Sequence, residues 1–218
     1  MRQYHKIQTV FKRDPETKFK TLLEGDWSEP EFGFLKSNEW IWTEKVDGTN
    51  IRVMCQPPLT NEPAYGVTFG GKTDAAMIPA FLVAKLEQRF HSDDARTKLA
   101  EMFKDGACLY GEGYGAKIQK GGNYRQDQDF VLFDVKVGEW WLQRKDVEQI
   151  ALELGLDVVP ILRTGTLSEM VEAARAGFQS RWGAFPAEGI VARPAIELQT
   201  RSGHRIITKI KHRDFAVR

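Results

Sequence analysis

Lys45 stands where the apolar run Trp40-Ile41-Trp42-Thr43 gives way through Glu44 to the polar turn Val46-Asp47-Gly48-Thr49-Asn50, before a second apolar run, Ile51-Arg52-Val53, leaves it. A strand thus delivers a lysine to a glycine-containing turn. A lysine ammonium has an ordinary pKa of about 10.4 and carries no lone pair, so a nucleophilic role needs burial or nearby cations that favour the neutral amine. Trp42 and Val46 are placed to help supply that burial. Taken alone, the K-x-D-G pattern is explained as well by a hairpin with an incidental lysine.

Further along, Gly111-Glu112-Gly113 sets an acid between glycines, which opens the backbone to close approach by a ligand and leaves a carboxylate to accept from sugar hydroxyls. Phe133-Asp134 ends an apolar run with a ring able to stack on a base, although a buried strand residue explains the Phe equally well. Glu188-Gly189 puts a carboxylate at the mouth of another strand, where it can hold a divalent metal directly or through water. Lys209 and Lys211 are two apart on a strand, so both side chains point to one face and the isoleucines to the other. Two cations side by side are costly unless an anion neutralises them.

The elements that must hold these residues are mostly strands. Apolar or alternating runs predict strands near 4–10, 40–46, 51–55, 65–69, 107–111, 130–137, 189–193 and 205–211. Helical spacing predicts helices over 78–90, 94–103, 147–154 and 167–176. The last opens on Thr166-Leu167-Ser168-Glu169, a capping-box pattern, and stops near Gly177, where a left-handed glycine can end it. Strands outnumber helices without alternating with them, which disfavours a doubly wound parallel sheet and favours a mixed α+β architecture.

With 218 residues, 42% hydrophobic and 28% charged, the chain can bury a core without a disulfide or metal staple and is neither low-complexity nor disordered. One compact unit without internal repeats is expected. No apolar run approaches the roughly 20 residues of a membrane span, and the N-terminus lacks a signal sequence, so a cytoplasmic location is expected. Cys55 and Cys108 read as reduced packing residues, and the four histidines show neither triad nor metal spacing. The net charge of +1 hides a basic C-terminal end with Arg201, Arg205, Lys209, Lys211, Arg213 and Arg218 against Asp214 alone. A second basic stretch, Lys117, Lys120 and Arg125, is interleaved with glycines and with Tyr114 and Tyr124, a mixture suited to phosphates and stacking.

The order of these segments, from K-x-D-G through glycine-flanked Glu, Phe-Asp and E-G-x-V to K-x-K, resembles that of the covalent nucleotidyltransferases, which include ATP-dependent RNA ligases, DNA ligases and mRNA capping enzymes. Asn50 stands where DNA ligases and capping enzymes usually carry arginine. Gly70-Gly71-Lys72-Thr73-Asp74 followed by Pro79 is similar to the G-R-T-D...P element of the RNA ligases, with Lys72 in place of the usual arginine fork. The resemblance is therefore nearest to the branch that contains the phage and kinetoplastid RNA-editing ligases, and it runs from residue 45 to residue 211.

That resemblance implies a single adenylyltransferase domain over 1–218, built of mainly antiparallel sheets with flanking helices, an ATP cleft between them and no appended C-terminal domain. It implies that Lys45 attacks the α-phosphorus of ATP to form a lysine-AMP intermediate, with Lys209, Lys211 and Mg²⁺ or Mn²⁺ stabilising the charge that develops and helping to keep Lys45 neutral. Phe133 would stack on adenine, Glu44 and its backbone would read the base edge, and Glu112 and Lys72 would hold the ribose side. Glu188 is the expected metal-associated carboxylate. Asp47 and Asn50 would act in passing AMP to a 5′-phosphate and sealing it to a 3′-hydroxyl. The implied partner is RNA or an RNA-containing nicked duplex. A minimal DNA ligase and a nucleic-acid-binding module with an inactive fold are the competing readings.

Overall fold

The computed structural model describes residues 3–58, 65–119 and 121–215. Lys120 and Arg218 of the two basic stretches lie outside them. The chain divides into two compact units, one of residues 1–5 with 47–159 and one of residues 6–46 with 160–218.

The first unit is built on a six-stranded sheet. Its path runs Asp157–Val158, Gln128–Val137, Ala107–Gly115, Thr49–Gln56 and Gly66–Gly70, with Trp140–Trp141 added beside 128–137. All pairs are antiparallel except the short one between 157–158 and 131–132. Ile51, Val53, Cys55, Leu109, Phe130 and Leu132 form one side of a core with Leu82, Leu86, Phe90, Leu99, Val147 and Ile150 from helices Ala80–Phe90, Asp93–Met102 and Arg144–Leu154. Strand alternation turns Asn50, Arg52, Tyr110 and Glu112 to the other face. Cys55 and Cys108 are free and buried, and burial pushes the Cys55 thiol up to about 12, as expected of packing residues.

In the second unit five strands run in the order Gln8–Thr9, Thr208–Lys211, Gly189–Pro194, Trp40–Glu44 and Ile161–Gly165. Only the first pair is parallel. Trp40, Trp42, Ile190, Ala192 and Ile210 pack with Leu167, Met170, Val171 and Ala174 of helix Leu167–Ala176. Alternation then puts Thr43, Val191, Lys209 and Lys211 on the opposite face, since Val191 pairs with both Thr43 and Lys209. The capping box forms: Thr166 Oγ1 accepts from Glu169 N at 3.2 Å and Glu169 Oε2 accepts from Thr166 N at 2.7 Å. Gly177 ends that helix at φ 73° and ψ 158°, a positive φ with an extended ψ rather than the left-handed helical cap that was expected.

The mixed, mainly antiparallel α+β class is the one the sequence predicts. Three local expectations change. The run 4–10 is not one strand, because Tyr4 packs its ring against Tyr110, Phe133 and Trp141 in the first unit while only Gln8–Thr9 pairs in the second. The hairpin of Phe11–Arg13 and Leu22–Trp27 went unpredicted, its second strand being mostly exposed and so lacking an apolar stripe. Arg125 is not a free phosphate contact, because it is ion-paired to Asp127 at 2.6 Å and to the buried Asp129 at 2.8 Å.

Close strand approach explains the glycine of E-G-x-V. A Cβ on Gly189 would meet the Ile210 carbonyl oxygen at 2.2 Å and Lys211 Cα at 2.7 Å, so the strand carrying the paired lysines has no room for a side chain there. Gly189→Ala is expected to destabilise the protein by about 1–3 kcal/mol through this overpacking, read as a lower midpoint in urea unfolding at unchanged slope.

Candidate active site

The second unit gathers Lys45, Glu188 and Lys211 at the ends of three successive interior strands of its sheet. The backbone sets this up: Lys45 N donates to Gly189 O at 3.0 Å just past the end of the 40–44 strand, while Gly189 pairs with Lys211. Glu188 then stands between the two lysines, its Oε2 2.6 Å from Lys45 Nζ and its Oε1 2.5 Å from Lys211 Nζ. Lys45 Nζ also donates to Val46 O at 3.3 Å. None of the three side chains is more than 20% exposed, so the charges face each other with little solvent screening. Burial raises the Glu188 carboxyl, but Lys45 and Lys211 outweigh it and hold the group below the usual carboxylate range.

One carboxylate bridging two ammonium groups relieves the repulsion between Lys45 and Lys211 and leaves the three-residue cluster with a net positive charge. It also refines one expectation. Lys45 was expected in a cationic pocket near the paired lysines and the Glu188 carboxylate; in the structure that carboxylate is its ion-pair partner and stands between it and Lys211. Lys209 shares the Lys211 face and lines the same open cavity. Among the described residues no three His, Cys, Asp or Glu side chains cluster as a metal cage.

Glu44 is almost fully buried at 1% exposure. Ser180 Oγ donates to its Oε1 at 2.5 Å and Arg181 N to its Oε2 at 2.7 Å, so the acid pins the 180–181 segment to the strand that leads to Lys45. Burial raises its carboxyl above the usual range despite those two bonds. Any contact it makes with a base would run beside that segment. Sequence reasoning missed Ser180, which lies 136 residues from its partner in a loop with no motif of its own.

The remaining candidates belong to the first unit. Asn50 and Glu112 are directly cross-strand on the face away from the helices, and Asn50 Oδ1 is buried with no hydrogen-bond partner among the described residues. A buried acceptor left unsatisfied costs about 1–3 kcal/mol. Gly48 is required by contact: a Cβ there would meet Gly113 O at 2.3 Å and Glu112 Cγ at 2.6 Å. The two glycine-bearing motifs are thereby packed on each other. Asp47 N donates to Tyr124 Oη at 3.2 Å.

Lys72 is exposed on the bend 71–74. Arg52, 1% exposed on the Asn50 face, fixes that bend from below: its Nε donates to Gly71 O at 2.8 Å and its Nη2 meets Asp74 Oδ1 at 2.7 Å. Arg52 thus holds the bend that carries Lys72. Phe133 is the extra residue of a bulge, since Tyr110 pairs with Asp134 and the next residue, Gly111, with Leu132. Its half-buried ring meets Tyr4 edge-on at 5.1 Å, and Asp134 accepts from Tyr4 Oη at 2.6 Å. Tyr4, overlooked in the sequence, therefore orders both residues of the Phe-Asp pair.

The fold has counterparts among known proteins. Solved structures of the Naegleria gruberi RNA ligase share the fold. One point mutant, solved with ATP and Mn, matches with a TM-score of 0.65 at 16% identity over 97% of this chain and 56% of that one. An apo mutant matches with a TM-score of 0.60 at 14% identity over 98% and 58%, and one with AMP and Mn with 0.60 at 14% over 96% and 57%. The chain thus spans a little over half the length of that ligase. No curated protein matches it in sequence. The family model described as RNA ligase matches residues 38–211, from the strand before Lys45 through Lys211 and so over most of the sequence; the chain belongs to the RNA ligase family.

Proposed function

We propose that this chain is the adenylyltransferase domain of an ATP-dependent RNA ligase, with all 218 residues contributing to it. The observation that carries the proposal is the Lys45–Glu188–Lys211 cluster, three groups brought within 2.6 Å contacts from positions 143 and 23 residues apart. The neutral Lys45 amine attacks the α-phosphorus of ATP. A P–N bond forms, the bond to the β-phosphate oxygen breaks, pyrophosphate leaves and the amine sheds its proton. The adenylyl group then passes to an RNA 5′-phosphate with return of Lys45, and a 3′-hydroxyl displaces AMP to seal the strand.

Each side chain has a proposed part. In the resting site Glu188 holds Lys45 and Lys211 together. When a triphosphate arrives, Lys211 and Lys209 have a stronger anion to turn to, and they stabilise the charge that grows on the phosphoryl oxygens during displacement. Lys45 would then be released from the shared carboxylate to act as nucleophile. Phe133 takes the adenine, Glu44 and its backbone the base edge, and Glu112 and Lys72 the ribose side. Asn50 Oδ1, the unsatisfied acceptor, receives a hydroxyl or amine donor, and with Asp47 it serves the strand-joining steps.

A lone carboxylate suits a Mg²⁺ or Mn²⁺ that keeps most of its water and takes its remaining ligands from phosphate oxygens, and Glu188 is the residue that would hold it. Bound there, the ion would supply Lewis-acid stabilisation of the phosphoryl oxygens.

Intact mass spectrometry tests the proposal directly. Protein incubated with ATP and Mg²⁺ should gain one adenylyl group, GTP should give none, and Lys45→Ala should give none with either. An unmodified mass for the native chain across Mg²⁺ and Mn²⁺ would refute the enzyme reading. Nicked duplexes with an RNA or a DNA 3′-hydroxyl strand then separate an RNA ligase from a DNA ligase by their relative sealing rates.

Glu188→Gln is expected to lower stability by about 1–3 kcal/mol at neutral pH, because it leaves two ammonium groups facing a neutral amide. The Glu188 carboxyl titrates below its unfolded value, so its contribution is present above the unfolded pKa and is lost as pH falls through the folded one. Unfolding midpoints of variant and native protein should therefore converge in acid; a constant gap down to pH 2 would contradict the assignment. Arg52→Lys cannot make both loop contacts and should raise the KM for ATP about tenfold with a smaller change in kcat, as expected of a positioning group.

A further inference from the structure

Beside the lysine cluster, and lined in part by Lys209 and Lys211, the second unit has an open cavity of about 1420 Å³ between the 11–27 hairpin and the C-terminal segment 209–215. Its lining carries seven Lys or Arg side chains against three Asp or Glu. Two of those acids are already committed, Asp214 to Arg13 at 2.7 Å and Glu24 to Arg175. Only Glu29 remains. On the basic side Lys12 is paired with Asp26 and Lys211 with Glu188, while Lys6, Lys20 and Arg213 are exposed and have no ion-pair partner among the described residues. The cavity therefore has an excess of unneutralised positive charge and is continuous with Lys211.

The hairpin tip adds a second observation. Phe19 is 62% exposed and lines the cavity, and both it and Lys18 have positive φ, 60° and 56°. Left-handed backbone costs a non-glycine residue roughly 1–2 kcal/mol, and a bare ring in water forfeits its burial as well. The tip is nonetheless held firmly, Phe19 N donating to Asp14 O at 2.9 Å and Arg13 Nη1 to the Phe19 and Lys20 carbonyls at 3.4 Å. An aromatic face is thus presented beside unpaired cations, the combination that binds single strands by stacking and phosphate contact.

We infer that this groove holds a single-stranded stretch of the nucleic-acid substrate, its phosphates on Lys6, Lys20 and Arg213 and one base on Phe19, leading the strand toward Lys211. A nucleotide triphosphate alone would leave part of the volume unused, as compact ligand pockets are about 300–1,000 Å³ and this one is about 1420 Å³. The identity of the strand as RNA rests on the RNA ligase reading; the groove itself does not.

The test uses the full chain and a labelled 5′-phosphorylated RNA of about twelve nucleotides, within the range of single-strand site sizes, with binding followed by fluorescence anisotropy over a salt series. The variant Lys6→Ala/Phe19→Ala/Lys20→Ala should bind about tenfold or more weakly, and its log K against log salt should flatten by about 1.4 for two lost phosphate contacts. Phe19→Ala alone should weaken binding without changing the slope. Adduct formation with ATP should match the native chain. Unchanged affinity and slope in the triple variant would overturn the inference, as would intact RNA binding accompanied by a tenfold higher ATP requirement, which marks a triphosphate site. If the native chain forms no adduct while the variants still lose RNA as described, the ligase reading fails and the strand groove stands.

Discussion

A single carboxylate shared by two ammonium groups organises the second unit. Lys45 and Lys211 flank the 189–194 strand on its two sides, where unpartnered like charges would repel each other across it. Glu188 turns that repulsion into attraction, and the glycine after it allows the 189–194 strand to lie against the 208–211 strand closely enough for all three groups to meet. The same feature makes the site responsive. A bridge built from charges, unlike one built from apolar contacts, can be exchanged for another anion of higher charge without repacking the core.

The first unit presents its candidates by a different device. Its helices pack on one face of the six-stranded sheet, and the period of the strands leaves Asn50, Arg52 and Glu112 on the other. Arg52 shows how a buried cation serves an exposed one: by fixing the carbonyl of Gly71 and the carboxylate of Asp74, it limits where Lys72 can go. The order imposed on Phe133 by Tyr4 follows the same logic, an aromatic ring being fixed by a neighbour that is far away in sequence.

Much of this was legible in the sequence because the motif strands are short, apolar and end abruptly in charged or glycine residues. Lys45 and Glu188 could be placed at strand ends, and Lys209 and Lys211 on one face of a strand, from the sequence pattern. Helix starts were less exact, Pro79 capping the helix that was expected from residue 78 and Arg144 preceding the expected 147. What stayed hidden depends on tertiary pairing. The Ser180 contact to Glu44, the Tyr4 contact to Asp134 and the exposed hairpin of residues 11–27 carry no local period, and the sequence near Arg125 looks like a free basic loop until its acidic neighbours are seen to fold back on it.

The state of the two thiols has a practical consequence for spectroscopy. Cys55 and Cys108 are buried within the sheet of the first unit, and their thiols are held far from the ionised form that reacts with maleimides. A single cysteine introduced on the surface can therefore be conjugated to a dye in a native background, so that fluorescence can report on one chosen loop with no prior removal of natural thiols.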